Sequence, residues 1–411
     1  MKKVYVIGGG TRFYVRPHFA LSAPASGKTA RTLHSLVSDS PHFSNLEKEL
    51  VLTRMAEPSS SIDTNEDVEN LVQKLVGDPL TKVIFLSAAM CDFTGQVLSP
   101  GSKEVTLSGK NRQRLQSMYS YEMVLTPAKK IIGDIRSHRK DIFLVGFKTT
   151  SGATEDQQFD AALRLCKGSH CNLVLANDTH TRVNMIVTPE QSRYAVSTDR
   201  SFVLSQLVDM AGSRSRGTFA RTVAVPGTLE SIESESVPPS LRAVVKYCVK
   251  EGAYQEFNGV TVGHFAVRQP DGSILCSIRR SNYNKKLDMV RIVSENEHIV
   301  TAYGAKPSAG SRSQWIMFDK HPTLDCVVHF HCPMKESSKV PVRPQKYFEC
   351  GSHECGHNTA DGLVSVAEDG KIKAVFLENH GPNIVFSRDV DPQRVIAFIE
   401  ENFDIKKTTR V

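Results

Sequence analysis

Val327-Val328-His329-Phe330-His331 places two imidazoles two residues apart, and Glu378-Asn379-His380-Gly381 offers a third about fifty residues later. In an extended strand residues i and i+2 point to the same face, so His329 and His331 can reach one ion while Phe330 packs behind. With His380 they make a three-histidine centre that keeps an open position for a substrate oxygen, the arrangement of a catalytic divalent metal, zinc or a similar ion. The alternative is a pair of structural histidines on a core strand. Residues 349–361, with Cys350, His353, Glu354, Cys355 and His357, form a second ligand-rich stretch whose spacing matches no standard zinc ribbon. Glu354 or His357 serves the metal site as an acid or ligand, or the stretch is a capping loop.

Near the start of the chain, residues 3–7 form an apolar run that ends at Gly8-Gly9-Gly10-Thr11. Backbone N–H groups of a glycine turn at a helix start can hold a phosphate, because no Cβ obstructs the approach and the helix dipole favours an anion. The same residues could also be a tight turn and nothing more.

The elements that must position these residues follow from pattern. Apolar runs of strand length at 82–86, 142–147, 173–176 and 184–187 alternate with helix-like stretches at 29–37, 68–75, 127–135 and 159–166. Such alternation predicts a mostly parallel, Rossmann-like α/β sheet covered on both faces. A closing helix over 199–211 gives way to a Gly/Ser/Arg and then Ser/Glu/Pro-rich stretch, read as a linker over 213–238. Beyond it come a helix at 241–250 and strand-like segments with turns at Pro270-Asp271-Gly272 and Glu368-Asp369-Gly370. The expected organisation is a nucleotide-binding domain over 1–212, the linker, and an α/β metal-binding domain over 239–411.

The chain has 411 residues, enough for two domains with their own cores, and its 40% hydrophobic and 23% charged content argues against wholesale disorder. Its +7 charge is interspersed, without the aromatic-plus-basic stripe of a nucleic-acid platform, and suits phosphorylated small molecules instead. No stretch approaches the roughly 18 apolar residues of a spanning helix, and two lysines lead straight into the first strand, so no membrane role and a cytoplasmic location are expected. Nine scattered cysteines read as reduced thiols.

Four further segments, in order, make residues 1–212 resemble the synthetase domain of phosphopantothenate-cysteine ligases: Ala23-Pro24-Ala25-Ser26-Gly27-Lys28, Ala88-Ala89-Met90-Cys91-Asp92-Phe93, Gly146-Phe147-Lys148-Thr149-Thr150, and Ala176-Asn177-Asp178. The resemblance implies CTP or ATP with Mg2+, activation of a carboxylate by nucleotidyl transfer, and attack by an amine. It implies nucleotide contacts from Gly8, Gly9, Gly10, Thr11, Ser26, Gly27, Lys28, Ala88, Ala89, Asp92, Phe147, Asn177 and Asp178, and a catalytic lysine at Lys110 in a mobile loop. A solvated Lys110 and turn capping by Asn177 and Asp178 are the plainer readings. Ala23 stands where the family has an asparagine that handles the acyl intermediate, and Thr149 where it has glutamate.

Residues 240–400 resemble the class II aldolase/adducin family through Val262-Gly263-His264 with Asp271-Gly272, Lys306-Pro307-Ser308 ahead of Ser311, the His-x-His and the Asn-His-Gly. The resemblance implies a divalent metal on His329, His331 and His380 holding the oxygens of a phosphorylated, sugar-like substrate. Gly263, His264, Ser281, Ser308 and Ser311 would contact that substrate. Ser313 and Gln314 lie nearest to the family's catalytic glutamate, and neither is a carboxylate base; Glu354 is the candidate replacement. Both resemblances imply a homo-oligomer, a dimer or a tetramer, that acts on small molecules. Adducin-type relatives leave open a purely binding role, and Ala23 with Thr149 leaves open a first domain that only senses nucleotide.

Overall fold

The computed structural model describes residues 1–99, 104–117 and 120–407. The chain forms two compact units, residues 1–189 with 193–215, and residues 190–192 with 216–411. Both are mixed α/β structures.

The first unit is built on a seven-stranded sheet in the order Arg193–Ser197, Asn184–Val187, Leu173–Asp178, Phe143–Thr150, Thr81–Leu86, Lys3–Gly8, Glu47–Leu52. The five strands from Leu173–Asp178 to Glu47–Leu52 are parallel, and the other two are added antiparallel. Parallel strands need crossovers, and helices α1 (Lys28–Asp39), α2 (Asn65–Gly77), α3 (Ile132–His138), α4 (Glu155–Gly168) and α5 (Arg200–Arg214) lie between or after them. Val4, Val6, Phe85 and Leu175 of the sheet are buried in one cluster with Ala30, Leu33 and Val37 of α1 and Val203 and Leu207 of α5. The strand at Glu47–Leu52 was not expected from the sequence. It is an edge strand, where charged residues such as Glu47, Lys48 and Glu49 are tolerated, so hydrophobicity does not mark it. The helix expected from 127 begins only at Ile132; Met123–Pro127 is instead a strand paired with Phe93–Leu98, and Pro127, which has no N–H, ends it.

The second unit carries an eleven-stranded, largely antiparallel sheet whose central order is Asp288–Glu295, Ile274–Ser277, His264–Arg268, Cys326–His329, Gly381–Phe386, Ile372–Leu377. Alternation along these strands divides the side chains between two faces. Phe265, Val267, Val328, Phe330, Ile384 and Phe386 pack with α6 (Pro239–Lys250) and α9 (Pro392–Asn402). Ala266, Val327, Val375 and Val385 pack on the other side with Ile316, Met317 and Phe318 of α7 (Ser311–Lys320) and Ala360 of α8 (His353–Gly362). His264 and His329 alternate with the first set and so belong to the α7/α8 face. The span expected as a linker holds structure of its own: Arg221–Val225 pairs in parallel with Ile299–Tyr303 at the sheet's end, and Glu230–Ser231 pairs with the Asp288–Glu295 strand. The Ser/Glu/Pro-rich part conceals the two-residue strand Glu230–Ser231, which is held by its partner rather than by its own hydrophobicity.

Candidate functional site

His329 closes the Cys326–His329 strand and His331 follows two residues on, so their rings emerge on one face. His380 immediately precedes the neighbouring Gly381–Phe386 strand, whose Asn383 pairs with His329. The approach depends on Gly381: its φ is 148°, and a Cβ there would lie 2.1 Å from the Phe330 carbonyl oxygen. Only a residue without a side chain lets the two backbones come this close and carries His380 over His331. Ring centroids are 5.0 Å apart for His329–His331, 4.7 Å for His329–His380 and 4.5 Å for His331–His380.

All three histidines are buried, and one ligand atom from each lies within 4.8 Å of the others. Imidazoles sharing one zinc at about 2.0–2.1 Å put their nitrogens roughly 3.3 Å apart, so a shift of about an ångström closes the set. His329 Nδ1 lies 2.8 Å from the Pro382 carbonyl oxygen and donates to it, which leaves Nε2 as its ligand atom. Burial pushes the His329 pKa down to about 4, against the upward pull of that carbonyl. The ring is therefore neutral at neutral pH, the form a metal requires. Three buried imidazoles fit a borderline divalent cation such as zinc.

His264 extends the cluster. It pairs with His329 across the sheet, and their ring centroids are 4.8 Å apart. Its Nδ1 lies 2.9 Å from Gln314 Nε2, an assignment that makes the amide the donor and places the ring proton on Nε2. Burial and then His329 hold the His264 pKa well below the ordinary histidine value. Gln314 is fully buried and its Oε1 has no partner among the described residues, which leaves an acceptor beside the histidines. The sequence placed Gln314 nearest to the aldolase-type catalytic glutamate without giving it a role, and its contact with His264 comes from the tertiary structure.

The other residues expected in this site serve its scaffold. Ser308 Oγ accepts from Gly310 N at 3.3 Å and Ser311 N donates to the Ser308 carbonyl at 3.1 Å, so both shape the entry to α7 beside His264. The Gly263 carbonyl accepts from the Tyr283 hydroxyl at 3.1 Å, and the Ser281 hydroxyl donates to the Ile278 carbonyl at 2.8 Å. Glu354 lies outside the histidine cluster: its carboxylate accepts from Thr218 N at 3.0 Å and Thr218 Oγ1 at 2.8 Å. Burial raises the Glu354 pKa, but hydrogen bonds from its own N–H and from Thr218 outweigh that and leave it lowered. A carboxylate so engaged is a poor base. His357 on the same helix is exposed.

In the first unit the glycine turn is closed from both sides. The Gly8 carbonyl accepts from Thr53 N at 2.9 Å, the Gly9 carbonyl from Ala89 N at 2.9 Å, and the Gly10 carbonyl from Thr53 Oγ1 at 2.7 Å. Thr11 is fully buried, and its hydroxyl donates to Asn65 Oδ1 at 2.6 Å while accepting from Cys91 N at 2.8 Å, so it braces the turn. Gly27, with φ 74°, caps α1, and Ser26 and Lys28 stand exposed on either side of it. Arg200, which sequence reasoning missed, reaches this helix start: its guanidinium donates to Thr29 Oγ1 at 3.0 Å and to Asn184 Oδ1 at 2.7 Å. Ala88 and Ala89 follow the Thr81–Leu86 strand beside the turn.

Asp178 is consumed by its own loop. Its carboxylate accepts from Thr150 Oγ1 at 2.8 Å and from the N–H groups of Gly152, Ala153, His180 and Thr181 at 2.9–3.0 Å. Those bonds overcome burial and hold its pKa far below the usual carboxylate range. Asn177 Oδ1 accepts from Thr149 Oγ1 at 3.2 Å, Phe147 is half-buried, and exposed Asp92 pairs with Lys130 at 2.6 Å. Lys110 lies over the Tyr14 ring, 4.9 Å from its centroid.

No protein-family model matches the chain. Over 181 residues it is 25% identical to the Coenzyme A biosynthesis bifunctional protein CoaBC of Thermococcus kodakarensis, which covers 43% of this chain. The match takes in 41% of that protein, so the chain spans about two fifths of the length of this curated relative. Among solved structures, the DNA/Pantothenate Metabolism Flavoprotein from Streptococcus pneumoniae aligns with a TM-score of 0.42 at 20% identity, over 51% of this chain and 97% of that one. L-fuculose 1-phosphate aldolase aligns with a TM-score of 0.30 at 17% identity, over 39% of this chain and 82% of that one. The sequence match to the CoaBC protein falls in the N-terminal half.

Proposed function

We propose that the chain is a bifunctional enzyme: a nucleotide-dependent ligase that joins a carboxylate to an amine, and a metal-dependent lyase, epimerase or dehydratase for a phosphorylated, sugar-like metabolite. The observation that carries the second activity is the buried trio of His329, His331 and His380. Bound there, zinc or another divalent ion would polarise a substrate carbonyl and stabilise the negative charge that develops when an adjacent bond breaks. Burial keeps His329 neutral, the Pro382 carbonyl orients its ring, and the sheet and α7 place His264 and the Gln314 acceptor beside it.

For the first activity, the exposed Ser26 and Lys28 at the start of α1, together with Arg200, suit nucleotide phosphates, and Lys110 would stabilise charge on the transferred group. CTP or ATP with Mg2+ is the proposed cosubstrate, and a cytoplasmic homo-oligomer the proposed form. Purified protein incubated with either nucleotide and phosphopantothenate plus cysteine, or another acid and amine, should release pyrophosphate; release from no pair sinks the ligase half. Elemental analysis should find about one divalent ion per chain.

A second reading is favoured by Ala23 and Thr149, which stand where ligase relatives have an asparagine and a glutamate; in the other unit, Gln314 and the engagement of Glu354 with Thr218 leave the base of the metal site unassigned among the described residues. In that reading the metal domain is a lyase or epimerase with another base, or a binding module, and the first domain only senses nucleotide. Calorimetric CTP or ATP binding without turnover would select it.

A further inference from the structure

Asp63 is not part of any motif, yet its side chain is only 4% exposed, and two hydrogen-bond donors and an ammonium converge on it. Arg12 Nη1 donates to Oδ1 at 2.8 Å and the Tyr14 hydroxyl to Oδ2 at 2.8 Å. The Lys110 ammonium stands 3.8 Å from Oδ2 with its side chain 55% exposed. Backbone bonds fix the carboxylate from behind: Arg12 N donates to the Asp63 carbonyl at 2.9 Å, and Asp63 N to Asp67 Oδ2 at 2.9 Å, at the capping box that opens α2. Gly109 N donates to the Val15 carbonyl at 3.2 Å and anchors the loop that bears Lys110. A cavity of about 430 Å³ opens between these elements, lined among others by Arg12, Tyr14, Asn65, Glu66 and Lys110. Asn65 also accepts from Thr11, so the cavity adjoins the glycine turn.

Distances rank the contacts. The two bonds from Arg12 and Tyr14 are full hydrogen bonds and satisfy the buried carboxylate, whereas 3.8 Å is a Coulombic approach only. Lys110 is thus the weakly held member of the group and the one facing solvent. An ion pair with so exposed a partner is worth little, and a polyanionic phosphate can displace it. We propose that Asp63 is a positioning residue: it parks the Lys110 ammonium at the mouth of the cavity and yields it to an incoming nucleotide phosphate. The proposal rests on the reading of Lys110 as the lysine that meets the nucleotide.

Lysines labelled by reductive methylation with 13C-formaldehyde report their surroundings by NMR, and the Lys110 signal is assigned by its loss in Lys110→Arg. In the nucleotide-free protein Asp63→Asn should move that signal, and CTP or ATP with Mg2+ should move it in the unsubstituted chain. By calorimetry Asp63→Asn should tighten nucleotide binding about two- to fivefold, as expected for release of a weak competing pair, and the gain should vanish in a Lys110→Met background. An identical Lys110 signal with and without the Asp63 charge, or the same gain in both backgrounds, overturns the role of Asp63. Nucleotide binding that leaves Lys110 unmoved in the unsubstituted chain overturns the role of Lys110, a result that needs only the conservative, surface-exposed Lys110→Arg variant to fold for the assignment. If neither nucleotide binds, the ligase reading itself falls, and the phosphate half of the proposal with it.

Discussion

In the proposed metal-binding trio the chemistry of one imidazole is set by its immediate neighbours. His329 owes its tautomer to the Pro382 carbonyl and its neutrality to burial. Removing one of three ligands should cost most of the bound ion: His329→Ala or His331→Ala should lower zinc from about one equivalent per chain to near zero by elemental analysis, while His357→Ala should leave it unchanged. His321 shows how a histidine outside the site senses pH. Its Nε2 donates to the Ala360 carbonyl at 3.0 Å, and Nδ1 lies 3.1 Å from the Lys373 ammonium. Burial first, and Lys373 further, lower its pKa against the pull of the Ala360 carbonyl. The folded state therefore binds the proton later than the unfolded chain, so this contribution is present above the ordinary histidine pKa and is lost as pH falls below it. Urea unfolding at pH 7.5 and at pH 5.5 should show a smaller loss for His321→Gln than for the unsubstituted protein.

Helices and strands carry a different burden, that of bringing separate parts of the chain to one place. The Gly381–Phe386 strand can deliver His380 only because its first residue tolerates a φ of 148° against the Phe330 carbonyl. Gly381→Ala should destabilise the unit by about 2 kcal/mol or more through strain and steric overlap, and should release the metal even though no ligand is altered; urea titration and metal content together test this. In the first unit α4 begins with a full capping box between Thr154 and Gln157. Thr154→Ala should cost about 1 kcal/mol in the same titration and leave metal content untouched.

At the scale of the molecule the two units have separate hydrophobic cores, so their ligands should stabilise them separately. A calorimetric scan should resolve two transitions. Zinc should raise only one, by about 2.7 kcal/mol at a hundredfold excess over its dissociation constant, and His331→Ala should abolish that rise. CTP or ATP should raise only the other.

The amino-acid sequence alone determined what depends on short-range spacing. His-x-His puts two imidazoles on one face because strand side chains repeat every second residue, the glycine turn ends a buried strand, and alternating apolar runs force crossovers and a parallel sheet. It did not mark the edge strand Glu47–Leu52 or the strand Glu230–Ser231, whose partners, rather than their own hydrophobicity, hold them in the sheet. Tertiary structure decided which polar side chains are free to act. Glu354 is bound by Thr218, which lies 136 positions away, Asp178 is used up by its own loop, and Asp63 becomes a buried anchor through Arg12, Tyr14 and Lys110. A carboxylate's chemistry is set by the donors that surround it, and contacts between residues distant in the chain are chosen by packing, which local spacing does not encode.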